Sequence, residues 1–400
     1  MPIPDLPNET LCAIFDLLPP PALASVVRAS HRFHLVAERV LYTSIAIADA
    51  LPPPPAVPVP YRTAICAATI LARPHLGPVV RRLAVRWLPD PALRDRDDAL
   101  DALRTAVAPA LVALNHALRT LLALEHLDLA FGLAGALSLA AAARAPLDAR
   151  AVLDGCAFPA LRAFALSGVG RGSLSHKLYA PDPDDAAAGA ASIAAFLARA
   201  PALEELHLHD CYEALALPPA AAPRLQAFRG PALAAAGVLP GRPVRVLALV
   251  GHEFVTARDL AGLARASVPV RWLDLGAMGV TPLLLRDVSR HLSAVEVLKV
   301  RLALRHTLHH ALSGISLLAG LTHVLGAFPA LAQLDLSPTA VDGVGRGNAL
   351  EESALCTTWA RACPALRAVV FPSRTEWRRA APDDVWVAAA GGAPAVWTRY

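Results

Sequence analysis

The chain has 400 residues and a formal net charge of only +4 at pH 7. It contains no dense basic block, which argues against nucleic acid as the main partner. Hydrophobic residues make up 55% of the chain, but alanine runs such as 140–143 supply much of that excess and add little apolar surface. The best apolar stretch, residues 129–143, is shorter than the roughly 18–20 residues of a membrane span. We therefore predict no membrane helix.

The N-terminal residues have neither the basic start nor the early apolar run of a secretory signal peptide, so we expect a cytoplasmic or nuclear protein. The six cysteines are scattered and form no CxxC pair. In an intracellular chain of this size we interpret them as small buried apolar residues. No disulfide framework, metal or cofactor is predicted.

Three short sets of apolar residues at helical spacing occupy residues 6–41. Pro7 is tolerated in a first helical turn, and Glu9 suits the positive end of the helix dipole. Residues 19–21, three prolines, are expected to end the first helix, and residues 30–32 are expected to form the turn before the third. Some 40 residues are too few to bury all these apolar faces, so we expect part of the surface to contact another protein. The alternative is a plain helical cap on the rest of the chain.

The segment LPNETLCAIFDLL, followed by PPPALASVVRASHRFHLVAERVLYTSI, resembles an F-box. The matching positions are Leu6, Pro7, Glu9, Leu11, Ile14, Phe15, Leu18, Leu23, Val26, Val27, Phe33, Leu41 and Tyr42. The resemblance implies that these helices lay an apolar face against the Skp-type adaptor of a cullin-based ubiquitin ligase. The residues implied for that contact are Leu6, Pro7, Leu11, Ile14, Phe15, Leu18, Leu23, Val26 and Val27.

Residues 51–60, LPPPPAVPVP, are mostly proline and are expected to form a stiff extended connector. Beyond them one phrase recurs: an apolar residue, two variable residues, an apolar residue, one variable residue and another apolar residue. The copies are VRRLAV at 80–85, LEHLDL at 124–129, LRAFAL at 161–166, LEELHL at 203–208, VRVLAL at 244–249, VRWLDL at 270–275, VEVLKV at 295–300, LAQLDL at 331–336 and LRAVVF at 366–371, with a degenerate LQAF at 225–228.

This LxxLxL phrase is the strand portion of a leucine-rich repeat, whose period is roughly 20–29 residues. The copies that start at 203, 225, 244, 270 and 295 are 19 to 26 residues apart. Helical apolar spacing between copies, as at Ile193, Phe196 and Leu197, indicates that each repeat pairs a strand with a helix. The combination resembles the divergent F-box and leucine-rich-repeat proteins of mushroom-forming fungi, and FPSRTEW at 371–377 with DDVWV at 383–387 resembles their closing strand and tryptophan-bearing cap.

These patterns predict an α/β protein with four parts. They are a three-helix F-box domain at 1–47, a proline-rich linker at 48–61, an irregular leucine-rich-repeat solenoid at 62–375 and a C-terminal cap at 376–400. The solenoid is expected to have parallel strands on its concave face and helices on its convex face. A cap is physically required, because the last repeat would otherwise expose its apolar end.

Strand alternation places the variable positions of each phrase on the concave face, where we expect a protein substrate to bind. They are Arg82, Arg86, His126, Asp128, Glu205, His207, His209, Trp272, Asp274, Lys299, Arg301, Gln333 and Asp335. Trp272 is the best hot-spot candidate, because tryptophan and arginine dominate interface energetics at about 2 kcal/mol or more each. Its alternative role is packing beneath a neighbouring loop, and the charged residues alternatively keep the face soluble.

Patterns that suggest other chemistry have simpler interpretations. Residues 207–211, HLHDC, could place three metal ligands on one side of a strand, but Cys211 coincides with a buried position that ends many repeats, and no fourth ligand is indicated. The histidines within 306–310 are interpreted as a solvated helical face. The glycine strings at 168–172 and 343–347 lack phosphate-loop spacing and are interpreted as turns.

The sequence thus predicts a non-enzymatic substrate-recognition adaptor of an SCF-type ubiquitin ligase. Its expected partners are a Skp-type adaptor, a cullin reached through that adaptor and an unknown protein substrate, with no nucleic acid or membrane. One alternative is a non-catalytic scaffold in a Skp-containing complex without a cullin. Another is an enzyme hidden in the array, which would need acid and base groups gathered around His207 and His209.

Overall fold

The computed structural model describes residues 6–52, 59–90, 99–132, 147, 149–169, 183–251, 255–303, 318–340 and 349–389. The chain divides into two structural units, the first made of Met1–Ser175 with Tyr179–Leu203 and the second of His176–Leu178 with Glu204–Tyr400. Each unit contains its own ladder of parallel strands, and helices lie between most successive strands. The prediction that every repeat pairs a strand with a helix was wrong for residues 209–226, which connect two strands of the second unit without a helix.

Three helices open the first unit, as the apolar spacing predicts: α1 (Asn8–Phe15), α2 (Pro20–Val26) and α3 (His31–Thr43). Their shared core consists of Leu11, Phe15, Leu23, Val36 and Ala37. The rings of Phe15 and Phe33 meet edge to face with centroids 5.7 Å apart, a geometry that adds to the stabilisation from buried area.

Two predicted helix boundaries were wrong. Helix α1 ends at Phe15, before the prolines, and Pro20 begins α2 instead of ending α1. A proline in a first turn loses no hydrogen bond, because that N–H has no partner within the helix. Residues 30–32 are not a turn either: Ser30 is the N-cap of α3 and its hydroxyl accepts from the Phe33 N–H at 3.1 Å, so residues 31 and 32 are helical.

The first unit continues with four parallel strands in chain order, β1 (Ser44–Leu51), β2 (Arg82–Pro89), β3 (His126–Ala130) and β4 (Ala163–Ser167). Its further helices are α4 (Tyr61–Ala72), α5 (Ala99–Leu118), α6 (Arg150–Leu153) and α7 (Pro183–Ala198).

Strand β1 follows α3 directly and pairs along its whole length with β2. Residues 48–51, which the sequence assigned to the linker, therefore belong to this strand. The composition of 51–60 dominated that prediction, whereas the preceding SIAIADA carries no proline and has the small and β-branched residues that a strand accepts. The linker boundary at 48 was thus placed too early.

Asp49 joins β1 to the start of α4. Its carboxylate accepts from the Arg62 N–H at 2.8 Å, from the Thr63 N–H at 2.9 Å and from the Thr63 hydroxyl at 2.7 Å. The indole N–H of Trp87 on β2 donates to the same hydroxyl at 3.0 Å. A carboxylate at a helix N-terminus satisfies unpaired N–H groups and is favoured by the helix dipole.

The second unit has seven parallel strands in chain order: β5 (Glu205–Leu208), β6 (Ala227–Gly230), β7 (Val246–Leu249), β8 (Trp272–Val280), β9 (Val297–Leu302), β10 (Gln333–Asp335) and β11 (Ala368–Val370). Its helices are α8 (Ala232–Val238), α9 (Ala257–Leu263), α10 (Pro282–His291), α11 (Thr322–Leu325) and α12 (Ala349–Ala362).

Every LxxLxL phrase forms a parallel strand, and the strand begins at the third residue of the phrase or, in the degenerate LQAF copy, at its equivalent. The three apolar positions are buried, as at Leu124, Leu127 and Leu129. The carbonyl at the second position accepts two N–H groups of the next strand; Glu125, for example, accepts from Arg162 at 2.7 Å and Ala163 at 3.0 Å. This geometry confirms the repeat prediction.

At the C-terminal end of the array, strand pairing changes from parallel to antiparallel. Strands β12 (Glu376–Arg378) and β13 (Val387–Ala389) are antiparallel to their neighbours β11 and β12. The indole N–H of Trp377 donates to the buried Glu352 carboxylate at 2.9 Å, and the guanidinium of Arg379 lies 5.2 Å from the ring centre of Trp386. Trp377 and Trp386 of the predicted cap are buried, and residues 390–400 of that cap lie outside the described residues.

Candidate protein-interaction surfaces

The three-helix domain leaves part of its apolar surface exposed. Leu17 is 85% exposed, Leu35 56% and Ile14 39%. Leu17 lies in the turn after α1, and its N–H donates to the Ile14 carbonyl at 3.2 Å, so both side chains are near the C-terminal end of this helix. The sequence prediction missed Leu17 and Leu35, because the apolar spacing alone does not show which apolar residues the bundle core takes up.

The nine residues predicted to contact a Skp-type adaptor fall into three groups. Leu11, Phe15 and Leu23 are buried in the core of the helical domain. Pro7 and Ile14 are exposed, whereas Leu6, Leu18, Val26 and Val27 are half-buried. Burial of the first group means that Phe15→Asp would disrupt the domain itself, so it is not a clean test of binding.

A second feature of the helical domain, which the sequence did not predict, is its ion-paired contact with the first repeat. The buried Glu38 on α3 accepts from Arg73 Nη1 at 2.6 Å, and its other oxygen lies 3.1 Å from His75 Nε2. An open cleft of about 820 Å³ borders this contact and is lined mainly by basic and apolar side chains. The spacing of residues 38, 73 and 75 in sequence carries no signal of this contact.

In the first unit the four residues predicted for the concave face form two cross-strand pairs between β2 and β3. Arg82 is in register with His126 on β3, and Arg86 Nη2 lies 3.3 Å from Asp128 Oδ2. Both partners of this ion pair are well exposed, so the pair adds little stability. This part of the face is polar and accessible.

In the second unit the variable positions form two cross-strand rows, and together they are called the strand face below. The polar row runs His207, Arg229, Ala248, Asp274, Lys299 and Asp335. The apolar row runs Glu205, Ala227, Val246, Trp272, Val297 and Gln333. The structure therefore aligns seven predicted residues with Arg229, Val246 and Val297, which the sequence prediction omitted. His209 and Arg301, also predicted, lie half-buried beyond these rows.

Trp272 is half-buried between Val246 and Val297. Its neighbours show that the hot-spot candidate belongs to an apolar row rather than standing alone among charges. Asp335, by contrast, is buried, and its Oδ1 accepts from the Ser337 N–H at 2.8 Å. That carboxylate shapes the turn after β10.

Within the described ranges, no three His, Cys, Asp or Glu side chains are placed to hold a metal ion. The rings of His207 and His209 meet edge to face at 6.2 Å, and Cys211 is buried. Burial raises the pKa of the Cys211 thiol to about 12, and nearby carboxylates add to the shift. Residues 170–172, 306–310 and 343–347 lie outside the described residues.

Of the other cysteines, Cys156, Cys356 and Cys363 are buried as predicted, whereas Cys12 and Cys66 are half-buried. Burial raises the pKa of Cys66 and of Cys156 to about 11, and it also raises the pKa values of Cys356 and Cys363. A thiol with a raised pKa stays protonated and unreactive at neutral pH. All six cysteines are free thiols.

Together, the helical domain and the strand ladders define an α/β leucine-rich-repeat protein with an N-terminal three-helix domain. Comparison with known families identifies that domain: the F-box-like family matches residues 3–48. The chain therefore has an F-box-like domain followed by leucine-rich repeats. Among the helices that the structure describes, none has the length and hydropathy needed to cross a membrane.

Comparison with solved structures finds repeat proteins at low identity. The leucine-rich repeat-containing protein LegL7 from Legionella pneumophila is 14% identical, with 82% of this chain and 92% of that chain covered and a TM-score of 0.37. A chain of the Rad7 and Elc1 complex in yeast is 10% identical, with 90% and 87% covered and a TM-score of 0.35. No curated protein sequence matches. The fold assignment rests on the strand ladder itself.

Proposed function

We propose that this protein is the substrate-recognition subunit of an SCF-type ubiquitin ligase. The F-box-like domain binds a Skp-type adaptor, which recruits a cullin, and the strand faces of the repeats bind a protein substrate. The protein itself makes and breaks no covalent bond, and it acts in the cytoplasm or nucleus. The observation that carries this proposal is the exposed apolar surface of Ile14 and Leu17 on an F-box-like domain.

Physical chemistry supports the adaptor contact. An exposed leucine that becomes buried at an interface contributes about 1.5–3 kcal/mol. Ile14 on α1 and Leu17 in the turn that follows it are neighbouring apolar anchors, which suit docking into an apolar groove of the adaptor. The buried Leu11, Phe15 and Leu23 hold α1 and α2 in place behind this surface. They contribute to the predicted interface by positioning its exposed residues.

The test is the change Leu17→Asp in the full-length chain. We expect at least a tenfold loss of affinity for a purified Skp-type adaptor, because the change removes an apolar contact and places a charge at the interface. Co-purification and calorimetry measure the loss. Leu122→Asp is the matched control, because Leu122 is 60% exposed in the first unit but lies outside the F-box-like domain.

Equal adaptor affinity of the Leu17→Asp and wild-type chains would contradict the proposal. The assembled complex also tests the role of the cullin. Recovery of the adaptor together with a cullin supports the ligase, whereas an adaptor complex that never contains a cullin would identify a non-catalytic scaffold instead.

A further inference from the structure

Arg229 is a strand-face residue with a buried N–H group that has no hydrogen-bond acceptor. It lies on β6, and its side chain is half-buried. Its Nε is fully buried without a hydrogen-bond partner, and among the described residues its side chain forms neither a hydrogen bond nor an ion pair. A buried N–H without an acceptor costs free energy. The rest of this half-buried side chain carries a charge with which a bound anion can pair.

The neighbours of Arg229 leave room for such an anion. His207 lies in register on one side and Ala248 on the other, so on the next strand the position opposite Arg229 carries only a methyl group. Asp274, the next acid along the polar row, is already engaged: its Oδ1 accepts from the Gly276 N–H at 2.7 Å and its Oδ2 lies 4.0 Å from Lys299 Nζ.

Glu205 on β5 is the other acid close to Arg229. It pairs in register with Ala227, two residues before Arg229, and forms no ion pair with the guanidinium in the described structure. The charge of Arg229 is therefore not neutralised by either neighbouring carboxylate.

The apolar row next to Arg229 supplies a second contact point. Val246, Trp272 and Val297 are adjacent in register. Trp272 lies on β8, two strands away from Arg229 on β6, and it is two residues before Asp274, which is the residue in the same row as Arg229. With strands about 4.8 Å apart and about 3.3 Å per residue, their Cα atoms are about 12 Å apart, the span of three to four residues of extended peptide.

From this arrangement we infer that the strand face of the second unit binds an extended acidic segment of a protein partner. An Asp or Glu carboxylate pairs with Arg229, and a bulky apolar side chain three or four residues away packs on Trp272 and Val246. Bidentate pairing with a carboxylate suits the guanidinium. The inference rests on the proposed function only in taking the partner to be a protein.

The experiment selects displayed random twelve-residue peptides on the purified full-length chain and on its Arg229→Gln variant. We expect the wild-type chain to select peptides with Asp or Glu three or four residues from a large apolar residue. Those peptides should bind the variant about tenfold or more weakly, because a charge-assisted contact is lost. Arg229→Glu should instead favour the same peptides with Lys in place of the acid.

Three variants serve as controls. Arg245→Gln removes an exposed arginine that precedes β7 and lies off the strand face, and it should leave the affinity unchanged. Trp272→Ala should weaken binding while the preference for acids persists. Glu205→Gln removes a competing carboxylate and should leave acidic-peptide binding equal or tighter.

Several results would overturn the inference. The first is that the wild-type chain enriches no acidic peptides, and the second is an acidic preference that persists in Arg229→Gln. The third is a melting temperature of Arg229→Gln clearly below that of the wild type, which would make Arg229 structural. Binding of the Skp-type adaptor is measured in a separate experiment, in which the wild-type chain is compared with Leu17→Asp. If the wild-type chain failed to capture a Skp-type adaptor, the proposed function would fall while the peptide result stood.

Discussion

Burial raises the pKa of the Cys211 thiol, and the charges of the neighbouring acids Asp210 and Glu213 raise it further. Desolvation is the larger cause, and the pKa rises from 9.0 to about 12. Above pH 9 the unfolded chain releases this proton while the folded chain retains it. The stability that the raised pKa contributes is therefore complete below pH 9 and is lost as pH rises toward 12.

The change Cys211→Ala tests this linkage. Between pH 7.5 and pH 10.5 we expect the wild-type chain to lose about 2 kcal/mol more of its free energy of unfolding than the variant, because about 1.5 pKa units of the shift are expressed in that interval. Urea denaturation followed by tryptophan fluorescence measures both chains. The packing cost of the smaller side chain is the same at both pH values and cancels. Equal losses would contradict the assigned burial.

Strand β1 shows that the strand ladder begins ahead of the proline-rich segment and extends into the predicted linker. The strand is held at one end by the backbone, where the Arg81 N–H donates to the Thr43 carbonyl at 3.0 Å. At its other end Asp49 binds the start of α4. The first strand of the ladder therefore begins within the residues that match the F-box-like family.

Replacing Asp49 by Ala should destabilise this junction. The change removes the three hydrogen bonds that Asp49 accepts at the N-terminus of α4 and leaves buried donors unsatisfied, at a cost of about 2–3 kcal/mol. Hydrogen exchange of α4 amides and the melting temperature measure the effect. Asp49→Asn retains an acceptor and should recover part of the loss. Unchanged protection of residues 62 and 63 would contradict this role.

At the scale of the whole molecule, a repeat array is stabilised by contacts between neighbours, so its last repeat depends on what covers it. The Trp377 indole N–H donates to the carboxylate of Glu352 on α12, and the Ser373 hydroxyl donates to the same carboxylate at 2.7 Å. Arg379 reaches back to the Leu366 carbonyl at 2.7 Å. These contacts bind the antiparallel end to the final parallel strands.

The change Trp377→Ala should loosen the C-terminal end selectively. Loss of a buried tryptophan costs about 3–5 kcal/mol and also removes a donor from the buried Glu352. In a repeat array such a loss opens the nearest repeats first. Hydrogen exchange should therefore increase in residues 349–389 and stay unchanged in β2 to β4. A uniform increase along the chain would show that the array unfolds as one cooperative body.

The repeat strands could be predicted from the sequence because their information is local. Each LxxLxL phrase combines the two-residue alternation of a strand with an apolar position just before it, and the structure buries the predicted leucines. The three front helices could be predicted for the same reason. Their boundaries could not, because prolines fit the first turn of α2 as well as the end of α1.

The arrangement of the candidate surfaces required tertiary contacts. Whether Leu11, Phe15 or Leu17 faces outward depends on how α1 packs against α3, and all three are simply apolar in sequence. Arg229 follows the degenerate LQAF copy, so only the register of β6 aligns it with His207 and Ala248. Local patterns identify an F-box-like domain and repeats, but burial and cross-strand alignment depend on residues far apart in the chain.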